Sequence, residues 1–227
     1  MSWEPVWEEV FSKKEWGKYP AEDLIRFVAR NFYRAPNRAD IKILEVGSGT
    51  GTNLCYMAGE GFTVYGIDGS AKGVSIAQTR LKNDPAIDEQ RTHVIEGDMI
   101  SLPYETEFFD AVIDIESIYT NRWENTVHIL QEIHRVLKPN GKFYSKHFAE
   151  HTEGDGTGEY VDRHMYIPDS GALIDIGPVR FATEADIHEL YEDKFVITEL
   201  EQAIRTTNNR TCTIIEWLIS MDRKDCP

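Results

Sequence analysis

The residues Glu45-Val46-Gly47-Ser48-Gly49-Thr50-Gly51 place an acid ahead of three glycines at alternating positions, and a second acid, Asp68, closes the next apolar run. Glycines at this spacing let the backbone turn sharply and approach a ligand as closely as a hydrogen atom permits. A carboxylate such as Asp68 accepts hydrogen bonds from both hydroxyls of a ribose lying across strand tips. The chemistry that fits is binding of an adenosine-containing cofactor. A dinucleotide fingerprint, Gly-x-Gly-x-x-Gly/Ala, needs its last small residue where Thr52 stands, so the spacing favours a different adenosyl ligand.

These residues must be carried by strands and helices in a fixed order. Ile41-Lys42-Ile43-Leu44-Glu45-Val46 has the β-branched run of a buried parallel strand. The pattern predicts strand at 41–46, helix from about 52, strand at 62–67, helix at 70–82 and strand at 91–96. It continues with strand at 109–114, helix at 123–137 and strand at 141–147. Alternation of this kind makes a parallel sheet with helices on both faces, because right-handed crossovers leave few other topologies. Ligands then bind beyond the carboxyl ends of the strands, near the switch in strand order between the first and the fourth. Asp68, Asp98 and the segment 114–117 fall at such ends.

Residues 1–40 read as a helical arm, with Trp3, Trp7, Phe11 and Trp16, helical spacing over 21–32 and a stop at Pro36-Asn37. At 148–180 the alternation breaks, and Glu153-Gly154-Asp155-Gly156-Thr157-Gly158-Glu159 reads as a flexible stretch inside a lid-like insertion. Thr183 is a good N-cap with Asp186 three residues on. Strands at 195–200 and 211–221, joined by a turn at 206–210, then form an antiparallel hairpin.

The ordered set of motifs resembles the class I S-adenosylmethionine-dependent methyltransferases over residues 41 to 147. The resemblance is carried by the acid and glycine turn, by Asp68 and by Gly97-Asp98-Met99 after the third strand. Phe108-Phe109-Asp110-Ala111-Val112-Ile113-Asp114 and Glu132-Ile133-His134-Arg135-Val136-Leu137-Lys138-Pro139-Asn140-Gly141 complete it. It implies an α/β, Rossmann-like doubly wound sheet of seven strands, mostly parallel with an antiparallel last strand. It also implies one domain over 1–227, an arm at 1–40 and a lid at 148–180. The implied cofactor is S-adenosylmethionine. Glu45, Gly47, Ser48, Gly49 and Gly51 would lie beside its methionyl carboxylate and amine, and Asp68, with Gly69 and Ser70, at the ribose. Asp98 and Met99 would meet the adenine, with Asp114 and Ile115 at the end of the fourth strand. Trp16 and Tyr19 of the arm are expected against the adenosyl or methionyl part, with packing against the sheet an equal alternative for the tryptophan.

Methyl transfer from a sulfonium is an in-line displacement, and positioning alone supplies about 7–11 kcal/mol in favourable cases, so a base is optional. His147, which ends the fifth strand, is the first candidate, because a neutral histidine is the usual proton acceptor for a hydroxyl. Tyr119 follows the fourth strand, and His151 and His164 lie in the insertion. Glu116 is a candidate of another kind, a carboxylate suited to an amine substrate or a cofactor group. His147-x-x-x-His151 has the spacing of metal ligands on a helix, and Asp155, Asp162, His164 and Asp175 lie downstream, but the glycine-rich context gives no helix and no metal is expected.

Composition narrows the partners. A formal charge of −15 on 227 residues argues against gripping a nucleic-acid backbone, which needs a basic face. No Asn-Pro-Pro-Tyr type motif follows the fourth strand, which further disfavours nucleic-acid methylation. There is no bilayer-length apolar run and no signal-peptide pattern, so the expectation is a cytoplasmic protein, monomer or homodimer, acting on a small-molecule substrate. Cys55, Cys212 and Cys226 are spaced as reduced thiols rather than as a disulfide framework or zinc site. The leading expectation is methylation of an oxygen or nitrogen on a small polar metabolite, such as a sugar or secondary-metabolite intermediate. An NAD(P)-dependent oxidoreductase and a non-catalytic adenosyl-binding protein are the alternatives.

Overall fold

The structure, a computed structural model, describes residues 5–13 and 17–225. Trp3, Trp16 and Cys226 therefore lie outside the described residues. The central elements run β1 (Lys42–Val46), α3 (Thr52–Gly59), β2 (Thr63–Asp68), α4 (Ala71–Asn83), β3 (Thr92–Glu96), β4 (Phe109–Ile115), α5 (Trp123–Val136) and β5 (Leu137–Phe148). Helices α1 (Val6–Lys13) and α2 (Glu22–Phe32) precede them. After β5 come β6 (Glu159–Asp162), β7 (Met165–Ile167), β8 (Val179–Arg180), α6 (Glu184–Tyr191), β9 (Phe195–Thr207) and β10 (Cys212–Arg223).

The main sheet has seven strands in the order β3-β2-β1-β4-β5-β10-β9. β1 pairs in parallel with both β2 and β4, and β10 lies antiparallel to β5 and to β9. Side chains along a strand alternate faces, so neighbouring residues of β1 and β4 enter different cores. Leu44, Val46 and Val112 join α5 and α6 through Ile129, Ile133, Ile187 and Tyr191 on one face. Ile43, Ala111 and Ile113 meet α2, α3 and α4 through Leu24, Val28, Leu54, Met57 and Ala77 on the other. The doubly wound, mostly parallel sheet expected from the sequence is the sheet observed.

Two regions depart from expectation. The segment after β5 folds into a three-stranded sheet, β6-β7-β8, over a cluster of Tyr119, Phe148, Leu173, Val179, Phe181 and Ile214. Three of its glycines serve tight contacts: a Cβ at Gly158 would lie 2.0 Å from the Ile167 carbonyl oxygen, one at Gly171 2.2 Å from that of Glu153 and one at Gly154 2.7 Å from that of Ser170. At Gly154, Gly158 and Gly171 glycine marks close backbone packing. The hairpin is also longer than expected, because β9 runs on through a polar stretch to Thr207, opposite Cys212. Cross-strand hydrogen bonds hold that stretch where apolar alternation gives no signal.

Thr183 caps α6 in a full capping box with Asp186. Among the described residues no helix is long and apolar enough to cross a membrane, and Cys55 and Cys212 are free thiols.

Candidate functional site

A cavity of about 430 Å³ opens where β1, β2 and β4 end, within the roughly 300–1,000 Å³ typical of small-molecule sites. Its floor is the glycine turn, with Glu45, Gly47, Ser48 and Gly49, flanked by Asp68 and Gly69 after β2 and by Met99. On the other side of β1 stand Ile115, Glu116, Ser117 and Tyr119. Trp7, Phe11 and Tyr19 of the arm cover part of it, and Ala172, Leu173 and Ile176 of the insertion cover another part.

The turn works because of its glycines. Gly47 has φ +67°, and a Cβ there would lie 2.2 Å from the Ser117 Cβ; Gly49 has φ +49° with the Phe11 ring 3.1 Å from its Cβ position. Only glycine takes that backbone region without strain, and no larger residue fits the space. Asp68 accepts hydrogen bonds from the Gly49 amide at 2.7 Å and the Ser70 amide at 2.8 Å, which fixes its carboxylate between the two strand ends. Burial raises the Asp68 pKa, and the two amides offset part of that rise.

Glu45 is almost fully buried, and burial pushes its carboxyl up to about 8, against the hydrogen bond it receives from Asn53 at 2.6 Å. Its Oε2 and the Ser48 Oγ are buried without a hydrogen-bond partner. Buried polar atoms are nearly always paired, so two orphans on one cavity wall fit a polar ligand that supplies the missing partners. The donor and acceptor set therefore fits the amine, carboxylate and ribose of S-adenosylmethionine.

Several expected site residues stand elsewhere. Gly51 does not line the cavity; its φ of +77° and a Cβ position 2.8 Å from the Ala77 Cβ serve the packing of α3 on α4. Ser70 is buried and caps α4 through the Gly73 amide at 3.0 Å, while its hydroxyl donates to Glu8 of α1. Asp114 is fully buried and accepts from the Ser117 hydroxyl at 2.7 Å, the Ile118 amide at 3.0 Å and the Ser145 hydroxyl at 2.6 Å. It builds the turn that presents Glu116 and does not itself face the cavity. Asp98 accepts from the Ile100 amide at 3.1 Å and lies off the cavity wall, whereas Met99 is on it. Trp16 lies outside the described residues.

The histidines do not supply a base at this cavity. His147 is buried, with Nε2 3.4 Å from the Tyr191 hydroxyl, and it lies off the cavity wall. Burial and the charge of Arg180 drive its pKa down to about 3, so it is a neutral packing group. His151 is exposed on a turn and His164 pairs with Asp186 at 2.5 Å, both away from the cavity. Among the described residues no group of three or more histidines, cysteines and acids comes together to hold a metal. Tyr119 does line the cavity, but burial and the charges of Glu116 and Asp114 push its phenol far up, leaving it a hydrogen-bonding group.

Glu116 remains on the wall, in the left-handed region at φ +55° just after β4. Behind it sits Lys146, a largely buried cation 3.5 Å from Glu116, 3.3 Å from Glu216 and 3.8 Å from Asp23. Burial and a hydrogen bond with Glu216 push Glu116 up to about 7, with Lys146 opposing the rise. The sequence reading missed Lys146, Glu216 and Asn53. The legible signal was a charged residue inside the apolar strand that carries Tyr144, Ser145 and His147.

Residues 44–145 match the model of the methyltransferase domain family. A fatty-acid O-methyltransferase of Mycolicibacterium smegmatis is 28% identical over 128 residues, 54% of this chain and 44% of that protein. The mitochondrial ubiquinone biosynthesis O-methyltransferase of Rattus norvegicus is 32% identical over 104 residues, 46% of this chain and 30% of that protein. The chain thus spans less than half the length of these curated relatives. The crystal structure of a Burkholderia thailandensis 1,6-didemethyltoxoflavin-N1-methyltransferase, with 1,6-didemethyltoxoflavin and S-adenosylhomocysteine bound, shares the fold. Its TM-score is 0.63 at 18% identity, over 90% of this chain and 79% of that one. Residues 44–145 thus match the methyltransferase domain family, and the motif order, the strand order and a cavity at the switch point make the chain similar to the class I S-adenosylmethionine-dependent methyltransferases.

Proposed function

We propose that this protein transfers a methyl group from S-adenosylmethionine to an oxygen or nitrogen of a small polar metabolite. The observation that carries the reading is the glycine-floored cavity with Asp68 fixed at one end and two unpaired buried polar atoms, on Glu45 and Ser48, beside it. In this reading Asp68 and Gly69 hold the ribose, Met99 packs on the adenine, and Glu45 with the turn backbone receives the amine and carboxylate.

When bound, S-adenosylmethionine would supply an electrophilic methyl group, its sulfur keeping the C–S bonding pair while the acceptor's lone pair forms the new bond. The protein's own task is to align the acceptor, exclude water and take a proton. Positioning of this kind is worth about 7–11 kcal/mol in favourable cases. With Asp68 at the β2 end assigned to the ribose, the β4 side, with Glu116 and with Tyr119 packed against Leu173 and Ile176, would be left for the acceptor. The insertion shields that side from water. The net charge of −15 supports a small molecule rather than a nucleic acid.

Calorimetry with S-adenosylhomocysteine and S-adenosylmethionine tests the cofactor, and transfer of a labelled methyl group into a metabolite extract tests turnover. Binding of both ligands with label in a small molecule is expected. Absence of binding, or binding of an oxidised dinucleotide in their place, overturns the reading.

A further inference from the structure

The ionisable side chains on the cavity wall are all acids. Glu45, Asp68 and Glu116 line it, and among the described residues no lysine, arginine or histidine does. An acceptor carrying a carboxylate or phosphate meets no counter-charge there, and its desolvation goes uncompensated. If Glu45 and Asp68 serve the cofactor, as the preceding section proposes, Glu116 is the carboxylate left for the acceptor.

Its surroundings leave that carboxylate available. Asp23 from α2, Glu116 after β4 and Glu216 from β10 share Lys146 of β5, and Arg205 of β9 reaches Glu216 at 3.7 Å. Once Glu116 has lost its proton, three carboxylates against two cations leave one negative charge unbalanced. Glu116 is also the most open of the three: 32% of its side chain is exposed, against 3% for Glu216 and 21% for Asp23. Its backbone amide donates to the Lys146 carbonyl at 2.8 Å, so its place at the mouth of the β4 and β5 ends is fixed. On that side the wall carries Tyr119, Leu173 and Ile176, packed together, with Ser117 and Thr120 as its polar members.

We infer that the acceptor is an amine on an apolar body, held as its ammonium by Glu116, with Lys146 as the residue that positions that carboxylate. The inference rests on the methyltransferase reading and narrows its acceptor to nitrogen. One proton passes from the ammonium nitrogen to a Glu116 oxygen. The nitrogen regains its lone pair and becomes the nucleophile, and Glu116 becomes neutral. The facing groups are Asp23, Tyr119, Lys146, Arg205 and Glu216, and together they set the charge on Glu116. Binding of an ammonium strengthens as pH rises through about 7, where Glu116 loses its proton.

The test uses the full chain saturated with S-adenosylhomocysteine. Matched sets of amine, alcohol and carboxylate on phenethyl, hexyl and cyclohexylmethyl bodies are titrated by calorimetry and by ligand-observed magnetic resonance. At least one amine should bind about tenfold or more tighter than its alcohol and carboxylate partners, the scale of one charge-assisted hydrogen bond. That preference should grow between about pH 6 and pH 8. Glu116→Gln should erase it while S-adenosylhomocysteine affinity stays within about threefold. Lys146→Met should move the pH of half-effect upward and Lys146→Arg should restore it, a displacement that a purely structural lysine would not give. The wild-type pH profile carries the same test if a variant fails to fold. If no amine is favoured over its partners, including the case where none binds, the inference falls and the methyltransferase reading stands. Failure of S-adenosylhomocysteine to bind the wild-type protein overturns the reading beneath it.

Discussion

The β2 side of the cavity and the β4 side are built in opposite ways. Glu45, Gly47, Ser48, Gly49, Asp68 and Gly69 come from one βαβ unit, and their positions follow from a tight turn and two neighbouring parallel strands. The β4 side gathers Glu116, Tyr119, Leu173 and Ile176 from separated segments, backed by Asp23, Lys146 and Glu216 from three more. A binding function shared by a family is encoded locally, where turn stereochemistry enforces it. Acceptor choice is assembled from parts that meet only in the folded chain, so it varies without disturbing the first half.

The largest expected effect falls on the local half. Gly47→Ala pushes a methyl into Ser117 and imposes a left-handed backbone on alanine; overpacking costs about 1–3 kcal/mol and the conformation about 1–2 more. The denaturant midpoint should drop and S-adenosylhomocysteine binding should be lost. An unchanged midpoint with normal binding would show that the turn is not confined as described.

Asp68→Ala is expected to weaken S-adenosylhomocysteine binding by about 1–3 kcal/mol, the range for lost charge-assisted hydrogen bonds. Calorimetry reads this directly, and unaltered affinity removes Asp68 from the cofactor site.

Glu45 gives a pH signature of intermediate size. Its folded pKa of about 8 lies above the ordinary 4.5, so the folded chain keeps a proton that the unfolded chain releases. The sign follows: ligand-free stability falls as pH rises between those values, by at most about 1.4 kcal/mol per pH unit from this group. Glu45→Gln removes the slope, so the melting-temperature advantage of the variant should widen from the acid to the alkaline end of that window. Parallel melting curves across it would contradict the buried, protonated state.

The smallest effect concerns the arm. Glu8 of α1 meets the Ser70 hydroxyl and the Lys72 amide at the start of α4, a place where a carboxylate is worth about 0.3–1 kcal/mol. Glu8→Ala should speed hydrogen exchange in α1 and leave the sheet protected as before. Equal exchange in both proteins would show that this contact does not pin the arm.

Legibility in the sequence tracks the same division. The strands from β1 to β4, helices α3 to α6 and the capping box at Thr183 were readable, because apolar period and capping chemistry act over a few residues. Of the expected cofactor residues, Glu45, Gly47, Ser48, Gly49, Asp68 and Met99 do reach the cavity, whereas Gly51, Asp114 and Ser70 sit behind it. An acid at a strand end reads alike whether it faces ligand or holds the turn beneath. His147 misled for a related reason: the end of a strand says where the backbone stops, and a period of two residues decides which neighbour points inward. The strands inside the insertion were not legible, because glycine marks both loose chain and crowded chain.

By itself the sequence determined a doubly wound parallel sheet, a glycine turn after β1 with an acid closing β2, and an overall acidity hostile to nucleic-acid backbones. Those features depend on local stereochemistry, hydrophobic period and summed charge, all of which survive without knowledge of distant contacts. Only the tertiary structure decided that Lys146 is shared by three carboxylates, that His147 is walled off beside Tyr191, and that Glu116 is left at the cavity edge. Each of those outcomes depends on which remote strand lies next to which, and on how much water is excluded when they meet. Burial then sets the charge states, and burial is a property of the packed chain rather than of any residue in it.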